Sequence, residues 1–175
     1  MRIIETKAYQ FEELDEQTKE KAIDNCRYIS VDDGFWHEFI KEDLNSIGIE
    51  LIGFDIDRGS FAEIHIDDMY ISCEKIIESH GGNCEKYKIA ERYIEEYNSI
   101  KDKMDNLECY ENEYSDELMQ LDNDLEDLDE EYQKEFSEEV LSMLRREFEY
   151  MTSDEHVFEF FDINQSEFTA EGEII

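Results

Sequence analysis

The feature that most constrains the fold is a series of mostly apolar side chains between residues 93 and 132, spaced alternately four and three residues apart. This spacing places them on one face of a helix, as in a coiled-coil seam. A single rod of about 40 residues would be about 60 Å long. Glu111 interrupts the series, and Asn112 and Ser115 are helix-capping residue types, so the pattern favours an antiparallel helical hairpin that turns near residues 110–116. The seam consists of Tyr93, Tyr97, Ile100, Met104, Leu107, Glu111, Tyr114, Leu118, Leu121, Leu125, Leu128 and Tyr132.

The segments on either side of the seam have the patterns of an α+β fold. Residues 2–9 alternate like a strand, and residues 167–175 predict a last short strand. Residues 52–66 predict a β-hairpin with one face on the core, made of Ile52, Phe54, Ile56, Ala62, Ile64 and Ile66. Helical spacing of apolar residues predicts helices at about 13–29, 35–47, 134–151 and 154–162. The apolar face of the second is predicted to consist of Phe35, Trp36, Phe39, Ile40, Leu44 and Ile47. We therefore expect a small antiparallel sheet, made of the N-terminal strand, the central hairpin and the C-terminal strand, packed with helices and a long acidic helical hairpin.

The composition is sufficient for one packed domain. The chain has 175 residues, of which 40% are hydrophobic, with 11 Phe, 10 Tyr and 1 Trp, whereas disordered chains are poor in aromatic residues. We expect residues 1–175 to form a single α+β domain, with residues 84–132 as an acidic helical-hairpin or coiled-coil extension.

Acidic residues dominate the charge. Asp and Glu number 50 against 16 Lys and Arg, which gives a formal net charge of −34. A small domain needs a net charge of only about 2–8 for solubility, and a larger charge costs self-repulsion. Halophilic adaptation is an alternative explanation, but the abundant Ile and Phe argue against it. Between Lys103 and Lys134 there are 13 acids and no base: Asp105, Glu108, Glu111, Glu113, Asp116, Glu117, Asp122, Asp124, Glu126, Asp127, Asp129, Glu130 and Glu131.

This base-free stretch is the candidate functional surface. Residues three and four apart on a helix lie about 5–6 Å from each other, a separation similar to that of backbone phosphates. Such a helix could occupy a Lys- and Arg-lined nucleic-acid channel by the same electrostatics that bind the nucleic acid. The alternative is an ordinary solvated acidic helix. The acids off the seam are the predicted partner-binding residues: Asp116, Glu117, Asp122, Asp124, Glu126, Asp127, Asp129, Glu130 and Glu131.

Several functional classes are disfavoured. The absence of basic patches argues against direct nucleic-acid binding, and an anionic membrane surface would repel the chain. The opening residues MRIIETK are charged where a signal peptide needs an apolar run, and no stretch reaches the roughly 18 apolar residues of a membrane span. No phosphate-binding glycine loop, GxSxG motif or cofactor motif occurs. The widely spaced Cys26, Cys73, Cys84 and Cys109 predict reduced thiols in a cytoplasmic protein.

Metal sites find only weak support. Cys73, His80 and Cys84 could supply three zinc ligands, but their spacing matches no common module and a fourth ligand is lacking. Residues 122–133 resemble the start of a calcium loop, yet Asp127 and Gln133 stand where such a loop requires Gly and Glu. We therefore expect no bound metal.

One alternative is a metal-dependent enzyme built on the predicted β-hairpin. Four polar residues alternate with apolar ones there and could converge on the solvent face of the sheet. Exposed alternation of polar residues explains the same pattern without any catalysis. The four residues are Asp55, Asp57, Glu63 and His65.

Both ends of the chain resemble those of small acidic accessory proteins of tailed phages and prophages. Residues 9–22 fit the pattern Y-x-F-x-E-L-x-E-x-x-K-x-K-A, and the Gly59-Ser60-Phe61 turn and the ending EFTAEG at residues 167–172 are similar as well. The resemblance covers about a third of the chain and excludes the acidic helical middle. It implies a phage accessory protein, and such small acidic proteins commonly block host defence, among them anti-CRISPR and anti-restriction DNA mimics.

The sequence thus predicts a non-enzymatic, phage-type inhibitor in the host cytoplasm. Its expected partner is a basic nucleic-acid-binding protein of the host, a CRISPR effector or a restriction enzyme, bound through carboxylates placed where phosphates belong. The competing prediction is an interaction module that docks through an apolar coiled-coil face. A homodimer formed through the helical region is a further alternative.

Overall fold

The computed structural model describes residues 7–32, 34–108 and 116–175. Over these ranges the chain forms six α-helices and one two-stranded antiparallel sheet, which confirms the predicted α+β class. The elements follow a 3-10 turn at Phe11–Glu13 and are α1 (Glu16–Cys26), α2 (Glu38–Ser46), β1 (Ile49–Asp55), β2 (Phe61–Ile66), α3 (Met69–Ser79), α4 (Glu85–Glu108), α5 (Asp116–Met151) and α6 (Asp154–Asn164). Of the helices in these ranges, none combines the length and apolar character that crossing a membrane requires.

The chain divides into two compact units. One unit, here called the end unit, comprises Met1–His37 and Arg145–Ile175, and the other, the middle unit, comprises Glu38–Leu144. In the end unit, Asp15 caps α1 through the backbone N–H of Thr18, and Ser153 caps α6. The hydrogen bond from Thr18 lowers the pKa of the Asp15 carboxyl. The core of the end unit is made of Leu14, Ala22, Cys26, Val157, Phe161 and Phe168.

The opening and closing motifs of the resemblance pack against each other in the end unit. Phe11 contacts the ring of Phe168 at a centroid distance of 5.9 Å. Gly172 has φ +82°, and a Cβ there would lie 2.9 Å from the backbone oxygen of Thr18 on α1. The opening and closing motifs therefore form parts of one core.

Neither of the two predicted terminal strands appears as a strand among the described residues. Residues 2–6 lie outside the described ranges, and Tyr9 makes a single antiparallel bridge to Phe168, which makes another to Ile174. The 3-10 turn that begins at Phe11 and the turn at Gly172 leave too few extended residues on either side for a ladder. In the part of the chain that the structure describes, the sheet therefore consists of the central hairpin.

The central hairpin is confirmed, but one of its faces differs from the prediction. Ile64 and Ile66 of β2 are buried as expected, and Ile49 and Leu51 of β1 oppose them. A β-bulge between Leu51 and Gly53 shifts the alternation of β1, so that Ile52, predicted to face inward, is exposed. The buried face of β1 is thus displaced by one extra residue.

The helices around the hairpin include one that the sequence reading missed. Helix α3 begins at its cap Asp68 and buries Met69, Cys73 and Ile76 on one face. The predicted helix at 35–47 begins three residues late, at Glu38, and Phe35 and Phe39 of its predicted buried face are 69% and 79% exposed. The rest of that predicted face is largely buried and includes Ile40, Leu44 and Ile47.

Helices α4 and α5 carry the seam. The ring of Tyr93 on α4 meets that of Tyr132 on α5 edge to face. Residues 92–96 of α4 contact residues 129–135 of α5, whereas residues 103–107 line one recess with residues 117–121, so the two helices are antiparallel. Most of the predicted turn, at 110–115, lies outside the described residues. The separate helix predicted at 134–151 is wrong, because α5 is continuous from Asp116 to Met151. No proline or glycine interrupts it.

Candidate partner-binding surface

The first half of α5 presents nine acids and no base. These are the nine predicted partner-binding residues, and they lie between Asp116 and Gln133. The antiparallel neighbour α4 mixes seven acids with five bases over Glu85–Glu108. Within this helix pair, the uncompensated charge is therefore concentrated on α5. We call the nine residues the acidic face.

Most of the acidic face is open to solvent. Asp122 and Asp124 are half-buried, and an oxygen of Asp124 accepts a hydrogen bond of 2.8 Å from the side-chain amide of Gln120. Asp129 is exposed as a residue, although one of its oxygens is engaged with α4. The remaining members are exposed: Asp116, Glu117, Glu126, Asp127, Glu130 and Glu131.

The spacing of these carboxylates is electrostatically unfavourable for the helix itself. Six pairs of acids lie three or four residues apart, namely 122/126, 124/127, 126/129, 126/130, 127/130 and 127/131. Each like-charged pair of this kind destabilises a helix by about 0.2–0.5 kcal/mol. Asp116 and Glu117 oppose this trend, because they lie in the first turn, where the helix dipole favours negative charge. A bound cationic surface would relieve the repulsion.

Two reciprocal hydrogen bonds fix α5 against α4. The hydroxyl of Tyr93 on α4 donates to Asp129 Oδ1 at 2.7 Å, and the hydroxyl of Tyr132 on α5 donates to Glu96 Oε1 at 2.9 Å. Burial and then the hydrogen bond to the carboxylate raise the pKa of Tyr93, and the same two causes raise the pKa of Tyr132. The acidic face is therefore held in register on a paired helix.

Ion pairs add to the anchoring of α4. Arg92 pairs with Glu135 of α5, and its guanidinium lies 5.8 Å from the ring centroid of Tyr132. At the beginning of α4, the buried Lys86 pairs with Asp43 of α2. A buried lysine requires such a partner, because an unpaired charge in the interior is costly.

The seam that a docking module would use is largely buried within the chain. Tyr93, Met104, Leu118, Leu128 and Tyr132 are each at most 8% exposed. The seam residues Leu107 and Leu121 are half-buried and line a more open recess with Lys103, Asn106, Glu117 and Gln120. Glu111 and Tyr114 of the seam, which lie next to this recess in sequence, are outside the described residues. The apolar face therefore offers little free surface in the described part of the chain.

The four residues of the alternative enzyme site lie on or beside the hairpin without forming a metal-binding group. The carboxylate of Asp55 accepts hydrogen bonds from the backbone N–H groups of Asp57 and Gly59, so it shapes the turn. Glu63 and His65 are exposed on β2, and His65 contacts Asp67 at 2.9 Å. Across residues 7–32, 34–108 and 116–175, no three His, Cys, Asp or Glu side chains are placed to hold a metal ion.

The residues of the weaker zinc and calcium patterns do not form a metal-binding group in the described ranges either. Cys73 is fully buried, and burial raises the pKa of its thiol to about 12, whereas zinc binds the thiolate. The hydroxyl of Ser79 and a ring nitrogen of His80 lie 2.8 Å apart. Residues 122–133 form an uninterrupted part of α5 and therefore no ion-binding loop.

The structure also reveals a site that the sequence reading missed. Beside the acidic face lies a recess of about 350 Å³, which we call the tyrosine recess. It forms where β2 ends and α3 begins, so its residues are far apart in sequence. The missed helix α3 supplies part of it, and the signal that could have found that helix was the capping residue Asp68. The lining residues are Ile66, Asp67, Asp68, Met69, Tyr70, Tyr93, Tyr97, Asp129 and Gln133.

Comparison of the chain with protein-family models, curated proteins and solved structures gave no match in any of the three. The resemblance to small acidic phage proteins stays a prediction from the motifs.

Proposed function

We propose that this protein inhibits a basic, nucleic-acid-binding defence protein of the host by presenting the acidic face of α5 in the channel meant for nucleic acid. A CRISPR effector or a restriction enzyme is the expected partner. The single observation that carries the proposal is the run of nine acids without a base on one helix whose neighbour has mixed charge.

The physical basis is the cost of this surface to the protein. A helix that served only solubility would gain from Lys placed four residues after Glu, and α5 forgoes that gain from Asp116 to Gln133. Lys and Arg residues that bind phosphates can pair with carboxylates in the same positions and displace the cations associated with that acidic surface, as they do with nucleic acid. Binding should therefore weaken steeply as salt increases.

The docking-module alternative predicts the opposite salt response. Apolar contacts do not weaken with ionic strength, whereas the attraction between exposed charges falls off over a Debye length of about 8 Å at physiological salt. The burial of the seam between α4 and α5 favours the charge-based proposal. A metal-dependent enzyme on the hairpin has no supporting geometry in the described residues.

A charge-neutralising variant tests the proposal directly. The variant, here called the acidic-face quartet, replaces four acids with their amides, which keeps side-chain shape and removes four charges. Its changes are Asp122→Asn, Asp124→Asn, Glu126→Gln and Asp127→Asn. The control quartet Glu12→Gln, Glu20→Gln, Glu171→Gln and Glu173→Gln removes four exposed charges from the end unit. Both change the formal net charge from −34 to −30, by four neutralised acids.

The assay is inhibition of DNA cleavage by a panel of purified CRISPR effectors and restriction enzymes, at two salt concentrations. We expect the parent to inhibit at least one enzyme in competition with DNA, the acidic-face quartet to lose about tenfold or more in potency, and the control quartet to retain it. If the acidic-face quartet inhibits as well as the parent, while Leu125→Asp abolishes inhibition in a folded protein, the docking module is supported instead.

A further inference from the structure

We propose that the tyrosine recess binds an arginine side chain of the partner. This inference rests on the proposed function, since it assigns to one place in the interface a specific contact. The recess adjoins the acidic face, because Asp129 belongs to both. Its volume of about 350 Å³ lies at the lower end of the range of small-ligand pockets, about 300–1,000 Å³.

The aromatic wall of the recess suits a flat cation. The ring centroids of Tyr70 and Tyr97 are 4.8 Å apart, and those of Tyr93 and Tyr97 are 5.8 Å apart. Aromatic faces attract a cation that comes within about 6 Å of the ring centroid. Tyr97 already has such a contact inside the chain, with Lys101 Nζ 5.7 Å from its centroid.

Two carboxylates of the recess, those of Asp68 and Asp129, are positioned by hydrogen bonds and pair with no Lys or Arg among the described residues, whereas Asp67 lies 2.9 Å from His65 Nε2. Asp68 accepts from the backbone N–H of Ile71 at 2.9 Å, and Asp129 accepts from Tyr93 at 2.7 Å. These bonds orient the carboxylates and use one oxygen of each. In the part of the chain that the structure describes, no Lys or Arg forms an ion pair with Asp67, Asp68 or Asp129.

The combination of groups selects arginine among cations. Three carboxylates beside stacked tyrosine rings suit an organic cation. A guanidinium is planar, stacks on tyrosine rings and donates to a carboxylate through two parallel N–H groups. An ammonium is a compact, strongly hydrated charge that gains less from stacking. Arginine is also a main phosphate-contacting residue of nucleic-acid-binding proteins.

The test uses the full chain and a small probe in place of the partner. The probe is N-acetyl-arginine methylamide, its comparison is the lysine analogue, and binding is followed by NMR of ¹⁵N-labelled protein at low salt. We expect saturable shifts at the backbone amides of residues 66–70 and 129–133. The lysine probe should bind about threefold more weakly or worse, because it lacks the stacking contribution.

Two variants and a matched control assign the effect to the recess. Asp129→Asn keeps an acceptor for the Tyr93 hydroxyl and should weaken arginine binding about fivefold. Glu138→Gln removes the same charge further along α5, at an exposed residue outside both the recess and the acidic face, and should leave the affinity within about twofold. Tyr97→Leu should also weaken binding, with circular dichroism used to verify that it folds. Equal effects of Asp129→Asn and Glu138→Gln, equal binding of the two probes, or shifts absent from the recess would each overturn the inference.

The outcomes for the recess and for the proposed function are separable. Probe binding without inhibition of any enzyme in the panel would leave the recess intact and refute the inhibitor function. Inhibition that is lost in the acidic-face quartet but unaffected by Asp129→Asn, with no probe binding, would refute only the recess.

Discussion

At the scale of single residues, two tyrosines connect the charged surface to the interior. Tyr93 and Tyr132 were predicted as seam positions, and both are buried as a seam requires. Their hydroxyl partners, Asp129 and Glu96, could not be predicted, because a hydrogen bond between helices depends on their register and not on spacing within one helix. The tyrosine recess is lined by residues of β2, α3, α4 and α5. Because these elements are far apart in the chain, no continuous stretch of sequence predicts the recess.

Removing the two hydroxyls should change both stability and its pH dependence. Each of Tyr93→Phe and Tyr132→Phe should lower the free energy of unfolding by about 1 kcal/mol, since the exposed carboxylate partner can rehydrate. Because folding raises the pKa of both tyrosines, their contribution is fully present below about pH 10 and is lost as the pH rises above it. The double variant should therefore lose less stability than the parent above about pH 10.

Urea unfolding followed by circular dichroism between neutral and alkaline pH measures this difference. Tyr28→Phe, at a 53% exposed tyrosine, is the control and should follow the parent. Identical alkaline slopes for the parent and the double variant would show that the two hydroxyl contacts do not contribute.

At the scale of elements, local patterns predicted most helices and the hairpin, and failed where a non-local effect decides. The bulge at Ile52 depends on pairing with β2, which alternation within β1 does not show. Helical periodicity predicted that Phe39 would be buried, but it is exposed. Periodicity identifies the apolar face of a helix and not how much of that face a neighbouring element covers. The missed α3 had a usable signal in its cap and in the 69, 73, 76 spacing. The predicted end of the helix before residue 134 was not supported by any glycine or proline in the sequence of α5.

The acidic-face quartet should stabilise α5 at low salt. It removes all six like-charged pairs, each worth about 0.2–0.5 kcal/mol, so the total gain is about 1–3 kcal/mol. Salt screens the same repulsion in the parent, so the melting temperature of the parent should rise with sodium chloride more than that of the quartet. Thermal unfolding at low and high salt gives the comparison, with the control quartet behaving like the parent. A quartet that melts below the parent at low salt would contradict the repulsion argument.

At the scale of the whole molecule, the charge should prevent contact with nucleic acids. With a formal net charge of −34, approach to phosphates is repulsive at any moderate ionic strength. We expect no shift of DNA or RNA in gels at micromolar protein and low salt without added metal. The control is a basic nucleic-acid-binding protein in the same gel, and a retarded band with this protein would contradict the mimicry proposal.

The division of the chain also sets an order of folding during synthesis. The end unit takes its core from both Met1–His37 and Arg145–Ile175, so a ribosome makes Leu14, Ala22 and Cys26 long before Val157, Phe161 and Phe168 exist. Residues 38–144 form one contiguous stretch and can fold while the end of the chain is still being made. Until residues 145–175 are made, the core residues of the first segment have no partners and stay exposed on the nascent chain. The surplus of acidic residues keeps neighbouring nascent chains apart during that interval.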